Sequence, residues 1–378
     1  MNKLVSFAGA GILVLIISQG SIHSGPRAEA THLRFLTINV WSGLDYEGFF
    51  KYGEYESKLR RGQRFDLLLT QIRELDPDVI FLQEANPAGR YARRLADMLD
   101  YDQIHKVVNG GIKFGPLGLP VNLKEGLAIL ARKSLDLHRF AAWKLSGPFG
   151  FYGDVLTIHF SESTWALAGS IRIGASLLFL VDVHLIAAPP DDEEFLRGFR
   201  EWPDAQNITD EEFRAAAAVV KEKNARRTAD ARKLADRLRR LPPGAPVIVA
   251  GDFNAEENDP AVRAFIAETG AFDTLGAAKT RAGQLNERYT WDSEQNENVA
   301  YSSRPVNASG KKRAGNALLD AYDSSIRRRL DYIFLPGDFR PEDILASRIV
   351  IRAHVNSVHA SDHFGVFADV DISRLFKK

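Results

Sequence analysis

Val247-Ile-Val-Ala-Gly-Asp-Phe-Asn254 joins an apolar, β-branched run to a glycine, an acid and an amide. The run is typical of a buried strand, and Asp252 and Asn254 lie two residues apart, so they point to the same side of an extended chain. Such a strand would deliver two polar groups to a site at its end. The local alternative is an Asx turn, because Asp and Asn favour turns through their own hydrogen bonds. The rest of the chain decides between these interpretations.

The composition is that of a folded protein without a charge bias. The chain has 378 residues, 45% of them hydrophobic, which suffices for one large domain or two ordinary ones. Lys plus Arg and Asp plus Glu number 49 each. The formal net charge is therefore zero, which is not typical of a protein that binds nucleic acid. The absence of cysteine excludes disulfides, thiolate nucleophiles and zinc-thiolate sites.

The first 30 residues are typical of a secretory signal peptide. Lys3 precedes an apolar stretch from Leu4 to Ser18, and Ala28-Glu-Ala30 offers a small-x-small cleavage site. The stretch is shorter than the ~20 residues that span a bilayer, so an N-terminal membrane anchor is the alternative. We therefore expect an exported protein, periplasmic or secreted, with residues 31–378 forming one folded domain.

Helical and extended patterns alternate along that domain, which predicts an α/β architecture. Helical spacing predicts helices that end near Leu75 and Leu99, and Thr209 with Glu212 forms a capping-box pattern that opens a long helix to about Arg240. A Gly- and Pro-rich apolar loop is expected at residues 109–123, and a polar loop at residues 293–317. Extended runs predict strands near residues 33–41, 78–84, 103–108, 127–131, 155–160, 177–185, 247–252, 329–335, 350–353 and 366–371.

Polar residues recur where these strands stop. In layered α/β proteins, functional sites gather at strand ends and in the loops that follow them. Each residue alone has a local explanation, such as a turn, a helix cap or an ion pair, but separate local explanations do not predict that all of them terminate strands. Carboxylates, amides and imidazoles without thiolates suit Mg²⁺ or Mn²⁺, and such a cation favours phosphoester hydrolysis. The residues are Asn39, Glu84, His184, Asp252, Asn254, Asp331, Asp362 and His363.

These motifs, taken in order, resemble those of the endonuclease/exonuclease/phosphatase superfamily, which includes deoxyribonuclease I, AP endonucleases, inositol polyphosphate phosphatases and neutral sphingomyelinases. The resemblance spans about residues 33 to 372. It implies a four-layer α/β sandwich, in which two mixed β-sheets pack face to face with helices on the outside. The motifs are Thr37-Ile-Asn-Val-Trp41, Val79-Ile-Phe-Leu-Gln-Glu-Ala85, Val181-Asp-Val-His-Leu185, Gly251-Asp-Phe-Asn254, Arg329-Leu-Asp-Tyr332 and Ser361-Asp-His363.

The resemblance also implies a metal site and residues that activate the attacking water and bind the phosphate. Glu84 would be the principal ligand of Mg²⁺, or of Mn²⁺. Asn39 would help to hold the metal or the phosphate, and Asp362 would complete the metal and water network. Asp252 would orient or deprotonate the attacking water, and Asn254 would bind a phosphate oxygen.

Two imidazoles complete the implied site. His363 would lie beside the phosphorus, held in its tautomer by Asp331, and His184 would act on a phosphoryl or leaving-group oxygen. The stretch Lys124-Glu-Gly-Leu-Ala-Ile-Leu-Ala-Arg132 resembles the strand of deoxyribonuclease I whose glutamate pairs with that second histidine. Glu125 is therefore the candidate partner of His184.

Three features bear on the substrate. His184 is not typical of AP endonucleases and favours the other branches. Tyr289-Thr-Trp-Asp292 resembles a segment of sphingomyelinase-like members, although their Gly-Lys-Gly-type element is not found and Phe151-Tyr-Gly-Asp154 lies near its place. An apolar loop would suit contact with a lipid surface. Its apolar residues are Ile112, Phe114, Leu117, Leu119 and Val121.

The leading expectation is an exported, monomeric, Mg²⁺-dependent phosphodiesterase that cleaves a phospholipid-type headgroup ester at a membrane surface. A non-catalytic binding protein on the same scaffold is disfavoured, because a dead site has no physical need for so many buried carboxylates. The main alternative is a secreted, nonspecific nuclease. It is favoured if the following basic residues form one patch at the rim of the site: Lys311, Lys312, Arg313 and Arg327 to Arg329.

Overall fold

Strands and helices alternate through most of the chain in the computed structural model, which describes residues 32–111, 113–114, 117–118, 120–152, 157–158, 162–282, 288–302, 304 and 316–376. The strands are β1 His32–Asn39, β2 Val79–Ala85, β3 Tyr101–Gly110, β4 Lys113–Phe114, β5 Leu117–Gly118, β6 Lys124–Arg132, β7 His138–Ser146, β8 Phe151–Tyr152, β9 Thr157–Ile158, β10 Thr164–Ile173, β11 Ser176–His184, β12 Val247–Asp252, β13 Phe272–Asp273, β14 Asp331–Leu335, β15 Ile344–Val350, β16 His354–Val355, β17 Val358–His359 and β18 Gly365–Asp371. The helices are α1 Lys58–Leu75, α2 Ala88–Leu99, α3 Glu193–Glu201, α4 Asp210–Leu238, α5 Pro260–Thr269, α6 Thr274–Ala282, α7 Val299–Ser302, α8 Asn316–Asp323 and α9 Ser373–Phe376.

Two six-stranded mixed sheets form the centre of the molecule. The first has the strand order β15-β18-β1-β2-β6-β3, and the second has the order β13-β14-β12-β11-β10-β7. Each sheet contains one parallel pair, β1 with β2 and β11 with β12, among antiparallel neighbours. The remaining short strands form two-stranded ribbons.

Three apolar layers hold the sheets and helices together. The layer between the sheets contains Phe35 and Phe81 from one sheet and Leu180 and Ile248 from the other, all fully buried. The outer face of the first sheet packs on α1 and α2, and the outer face of the second packs on α4 and α5. This confirms the predicted four-layer α/β sandwich, in which both faces of each sheet are covered and the strands are apolar on both sides.

Most predicted elements are present, with shifted ends. The capping box of Thr209 and Glu212 opens α4, which ends at Leu238. The strand predicted at residues 350–353 is wrong, because β15 ends at Val350 and Ile351 has a left-handed backbone (φ 61°) that takes the chain out of the sheet. The predicted polar loop 293–317 contains α7 and the start of α8. The sequence patterns did not indicate β7, β10, α3 or α6.

Several predictions fall outside the described residues. Residues 1–31, which carry the expected signal peptide, lie there, as do parts of the loop 109–123. Of the helices that the described residues form, none has the length and apolar character needed to cross a membrane.

Candidate active site

The polar strand ends of both sheets meet at one edge of the sandwich. In the second sheet, His184, Asp252 and Asp331 are direct partners on the adjacent strands β11, β12 and β14. In the first sheet, Asn39 ends β1 and Glu84 lies near the end of β2. The structure thus brings together residues from strands that are far apart in sequence. The cleft at this edge is also lined by Glu125, Asn254, Asp362 and His363.

The Asn39 amide links the two sheets at the bottom of this cleft. Its Nδ2 donates hydrogen bonds of 3.0 Å to Glu84 Oε1 and to Asp252 Oδ2. Its Oδ1 accepts a hydrogen bond from the Trp41 backbone N–H at 3.0 Å. Because these bonds fix the amide in one orientation, Asn39 holds Glu84 and Asp252 at a constant separation.

Glu84, at an irregularity near the end of β2, and Asn254, two residues after β12, have left-handed backbone conformations, with φ angles of 55° and 50°. Non-glycine residues adopt this region at a cost, and such conformations concentrate at functional sites. Gly251 has a related role, because a Cβ atom there would lie 1.9 Å from the Val183 carbonyl oxygen. The glycine of the opening motif therefore permits β11 and β12 to approach closely just before Asp252.

Asp252 lies between two imidazoles. Its Oδ2 is 3.6 Å from His184 Nε2 and 3.8 Å from His363 Nε2, and its Oδ1 accepts a 2.7 Å hydrogen bond from the Asn254 backbone N–H. Burial, followed by the charge of Asp331, raises the pKa of Asp252. A carboxylate with a raised pKa, fixed by hydrogen bonds, is suited to accept a proton.

His363 is held by Asp331 on one side and by an aromatic ring on the other. Its Nδ1 lies 2.8 Å from Asp331 Oδ2, and its ring meets Trp291 edge to face at 4.9 Å. Burial lowers the pKa of His363, but the charges of Asp331 and Asp252 outweigh burial and raise it to about 10. The hydroxyl of Thr290 accepts the backbone N–H of Asp331 at 3.2 Å and so fixes the residue that orients His363.

His184 and its candidate partner Glu125 line the same cleft. Glu125 Oε2 accepts a 2.6 Å hydrogen bond from the Tyr46 hydroxyl. Glu125 acts on His184 through its charge: burial lowers the pKa of His184, but Asp252, Glu84 and Glu125 together raise it. The loop after β1 places Tyr46 against Glu125, which the sequence pattern did not indicate.

Three carboxylates lie close together in the cleft, Glu84 partly buried and Glu125 and Asp362 buried, and a bound cation would neutralise their charge. Burial, followed by the charge of Glu84, raises the pKa of Glu125 to about 7. Burial also raises the pKa of Asp362 to about 7, with Glu84 adding to the shift and the charge of His363 opposing it. Burial also raises the pKa of Glu84, but His184, the Ser42 backbone and Asn39 bring it below its ordinary value. An oxygen-only donor set of this charge fits a hard divalent cation such as Mg²⁺.

Arg64 is a buried residue of the site that the sequence did not reveal. Its guanidinium donates to the carbonyls of Val40, Trp41 and Ala360 at 2.8 to 3.1 Å and pairs with buried Glu56 at 2.7 Å. It thereby ties the loop after β1 to the segment before β18, which carries Asp362 and His363. A helical position in α1 next to apolar residues was the only sequence signal.

The cleft has a volume of about 580 Å³ and a rim that is acidic and aromatic. Nine carboxylates line it, against the two cationic side chains of Lys223 and Arg328. Five of the nine lie outside the predicted site: Asp45, Glu47, Glu162, Asp320 and Asp323. The aromatic lining residues are Trp41, Tyr46, Tyr52, Tyr55 and Trp291.

The basic patch that would favour a nuclease does not form among its described residues, Arg327 to Arg329. Arg328 is buried and makes a bidentate ion pair with Asp323 at 2.7 and 2.8 Å, and Arg329 is buried and pairs with Asp273 at 2.5 Å. Arg327 is partly exposed and pairs with Glu294 at 3.0 Å. Residues 311–313, the other half of the patch, lie outside the described residues.

Comparisons with known proteins agree with this geometry. A protein-family model described as the endonuclease/exonuclease/phosphatase family matches residues 36–363. No curated protein matches the sequence.

Similar solved structures share the fold. They include D. rerio TDP2 complexed with a single-strand DNA product, which is 19% identical over 90% of this chain and 98% of that chain, with a TM-score of 0.53. An endonuclease/exonuclease/phosphatase from Bacteroides vulgatus is 15% identical over 90% and 98%, with a TM-score of 0.54. The mannosyl-6-phosphatase Bt3783 of Bacteroides thetaiotaomicron is 14% identical over 89% and 98%, with a TM-score of 0.52.

Proposed function

The chain belongs to the endonuclease/exonuclease/phosphatase family, a family of hydrolases that act on phosphoester bonds, and from this premise we propose that it is a Mg²⁺-dependent phosphodiesterase for phospholipids with a cationic headgroup. The observation that supports this substrate is the rim of the cleft, which combines aromatic rings with more carboxylates than cationic side chains. We also propose that the protein is exported, as its N-terminal sequence favours, and acts as a monomer at a membrane surface.

The metal would be held by Glu84 and Asp362, with Asn39 fixing the first of these carboxylates. When bound, a divalent ion in this position supplies charge neutralisation to the phosphoryl oxygens. Mn²⁺ would serve in the same donor set, because it shares the preference of Mg²⁺ for oxygen ligands. The raised pKa of Asp362 and of Glu125 supports this assignment. It shows that the ionised carboxylates are unfavourable in this cleft, and a bound cation would stabilise them.

The remaining residues would act on water and phosphate. Asp252, fixed by the Asn254 backbone N–H and the Asn39 amide, accepts the proton of the attacking water. His363, held as imidazolium by Asp331, lies against charge that accumulates on the phosphoryl oxygens. His184 faces Asp252 from the other side and acts on a phosphoryl or leaving-group oxygen. Asn254 donates one side-chain N–H to the Leu185 carbonyl at 2.9 Å, which positions its amide toward phosphate.

The rim favours a cation beside the scissile phosphate. Tyr46 and Tyr52 meet edge to face at 5.6 Å, and Asp45 and Glu47 flank Tyr46 in the chain. Aromatic faces and carboxylates together bind quaternary ammonium groups, through cation–π attraction and through charge. A choline-type headgroup has this chemistry, whereas a polyanion would meet like charge at the rim.

Exposed apolar residues next to the rim support contact with a lipid surface. Phe49 and Phe50 are 62% and 64% exposed, and Val121, which is 41% exposed, donates its backbone N–H to the Phe50 carbonyl. The adjacent Tyr52 is tied to Asn122 by two hydrogen bonds of 2.9 and 3.1 Å, so these residues lie beside the cleft. Exposed apolar groups at the rim of a site are typical of surfaces that bind membranes.

A nuclease is the second candidate, because D. rerio TDP2, which shares the fold, binds a single-strand DNA product. Binding of nucleic acid is dominated by phosphate contacts with Lys and Arg. Nine carboxylates against two cationic side chains in the cleft argue against this candidate.

Two chromogenic phosphodiesters test the proposal, p-nitrophenylphosphorylcholine and bis(p-nitrophenyl) phosphate. Both release p-nitrophenol, and only the first carries a quaternary ammonium group. We expect a lower KM for the choline ester. Tyr52→Leu should raise that KM by about 2- to 30-fold, the usual range of a cation–π contact, and leave the KM for the second ester unchanged. Tyr289→Leu, outside the cleft lining, is the matched control. Equal KM values for both esters would contradict the assigned substrate while leaving phosphodiesterase activity in place.

A further inference from the structure

A second group of potential metal ligands lies outside the active-site cleft. Ligand atoms of Glu297, His354 and His359 lie within 4.8 Å of one another, and none of the three residues lines the cleft. His354 and His359 belong to the ribbon β16–β17, and Glu297 belongs to the loop before α7. The reaction proposed for the cleft does not use this group.

The ribbon fixes the two histidines side by side. His354 and His359 are direct cross-strand partners, and their rings lie 4.7 Å apart. The turn residues Asn356 and Ser357 both have left-handed φ angles, 49° and 59°, which is typical of a tight two-residue hairpin turn. Because cross-strand partners share one face of a ribbon, both imidazoles point to the same side.

Glu297 completes the group from a separate loop. Its Oε2 lies 2.6 Å from His359 Nε2, and the two side chains are 48% and 2% exposed. The Nε2 atom of His359 and the Oε2 atom of Glu297 thus face one another from two separate elements, which is the arrangement that two ligands of one cation have.

We propose that Glu297, His354 and His359 bind a divalent cation of the Zn²⁺ type. Two imidazole nitrogens, one carboxylate oxygen and a water form a donor set that Zn²⁺ takes, and it differs from the oxygen-only set of the active site. With metal–ligand bonds of about 2.1 Å, tetrahedral ligands lie about 3.4 Å apart. Glu297 would therefore withdraw from His359 by about 0.8 Å, which its half-exposed side chain permits.

The bound cation would fasten a loop that supports the catalytic segment. Asn298, next to Glu297, donates its side-chain N–H groups to the carbonyls of His359 and Ser361, each at 3.0 Å. The Ser361 hydroxyl in turn donates to the Asn39 carbonyl at 2.6 Å and accepts the His363 backbone N–H at 3.2 Å. A metal between Glu297 and the ribbon would thus stabilise the segment that carries His363 without touching substrate.

Calorimetric titration with ZnCl₂ in excess Mg²⁺ tests the site in the full chain, with thermal unfolding measured in parallel. Excess Mg²⁺ competes for the carboxylates of the active-site cleft, and Zn²⁺ that still binds there does so equally in wild type and variant. Wild type should bind one more equivalent of Zn²⁺ than His354→Ala, and Zn²⁺ should raise the Tm of wild type more than that of the variant. His138→Ala is the matched control, since His138 is exposed and pairs with Asp136 at 3.0 Å.

Glu297→Gln provides the second variant, because it preserves shape and removes the charge. It should also lose the Zn²⁺-dependent gain in Tm. Equal stoichiometry and affinity in wild type, His354→Ala and Glu297→Gln would overturn the proposal and leave Glu297 and His359 as an ordinary ion pair. This outcome is independent of the phosphodiesterase assays, which contain Mg²⁺ and no Zn²⁺.

Discussion

At the scale of single residues, the candidate site depends on the charge of His363. Asp331 Oδ2 and Asp252 Oδ2 lie 2.8 and 3.8 Å from its two ring nitrogens, and their charges raise its pKa to about 10 although burial opposes them. The folded pKa therefore exceeds that of the unfolded chain, which is about 6.5. The stability that this ion pair contributes is fully present below pH 6.5 or so and is lost as the pH rises through about 10.

Asp331→Asn should lower the pKa of His363, because it removes the charge that raises it most. Histidine NMR titration should find wild-type His363 protonated at pH 8 and the variant ring deprotonating at lower pH. Phosphodiesterase activity should fall about 10²-fold or more, in the range of a lost acid–base contribution. Asp369→Asn is the control, since the ion pair that Asp369 makes among the described residues is with the exposed His32, on another part of the first sheet. An unchanged His363 titration would contradict the assigned role.

At the scale of elements, the loops after β1 and before β18 are joined by one buried cation. Arg64 donates to three backbone carbonyls and pairs with Glu56, whose side chain is fully buried. Removing one member of a buried pair leaves an uncompensated charge, which typically costs about 3–5 kcal/mol. The position of both loops, and with them Trp41 and Asp362, therefore depends on α1.

Arg64→Met should lower the free energy of unfolding by about 3–5 kcal/mol, measured by urea denaturation, and reduce activity as the loops loosen. Arg93→Met, on the exposed face of α2, should change it by no more than about 0.5 kcal/mol. If Arg64→Met were as stable as the control, the guanidinium would not be what holds these loops.

The ends of the strands could be predicted from the sequence, whereas the contacts between elements could not. Strand ends were predictable, because apolar runs stop at polar residues, and Asn39, Glu84, His184 and Asp252 all lie where those patterns placed them. Contacts between elements were not predictable. The hydrogen bond from the Tyr46 hydroxyl to Glu125 joins the loop after β1 to a strand some 80 residues later. No local sequence pattern indicates that these two segments are in contact. β10 was missed because it contains Ala, Gly and Ser, which are poor strand indicators.

At the scale of the whole molecule, a buried polar contact crosses the apolar layer between the sheets, away from the one that Asn39 makes at the cleft. Gln83 Nε2 donates to Asp182 Oδ1 at 2.6 Å, and both residues are fully buried. Burial raises the pKa of Asp182 well above its ordinary value, although the Gln83 hydrogen bond opposes the shift. The folded state therefore keeps a proton that the unfolded chain releases near pH 4. The free energy of unfolding of wild type therefore decreases as the pH rises above about 4, because the unfolded chain then releases the Asp182 proton that the folded protein keeps.

Asp182→Asn should gain stability relative to wild type as the pH rises from 4 to 8, because the amide has no proton to lose. Thermal unfolding across that range measures the difference in Tm, with the exposed Asp204→Asn as the surface control. A Tm difference that does not change with pH would mean that Asp182 is not protonated in the folded protein.

The proposed function is also a property of the whole molecule, because it joins the metal site, the acidic and aromatic rim and the apolar residues beside it. The most direct measurement is release of phosphocholine from sphingomyelin vesicles, run beside nicking of supercoiled plasmid DNA. Wild type should release phosphocholine with Mg²⁺, lose that activity with chelator, and nick plasmid poorly, while Glu84→Gln should be inactive in both assays. Brisk plasmid nicking without phosphocholine release, or full activity of Glu84→Gln, would contradict the account.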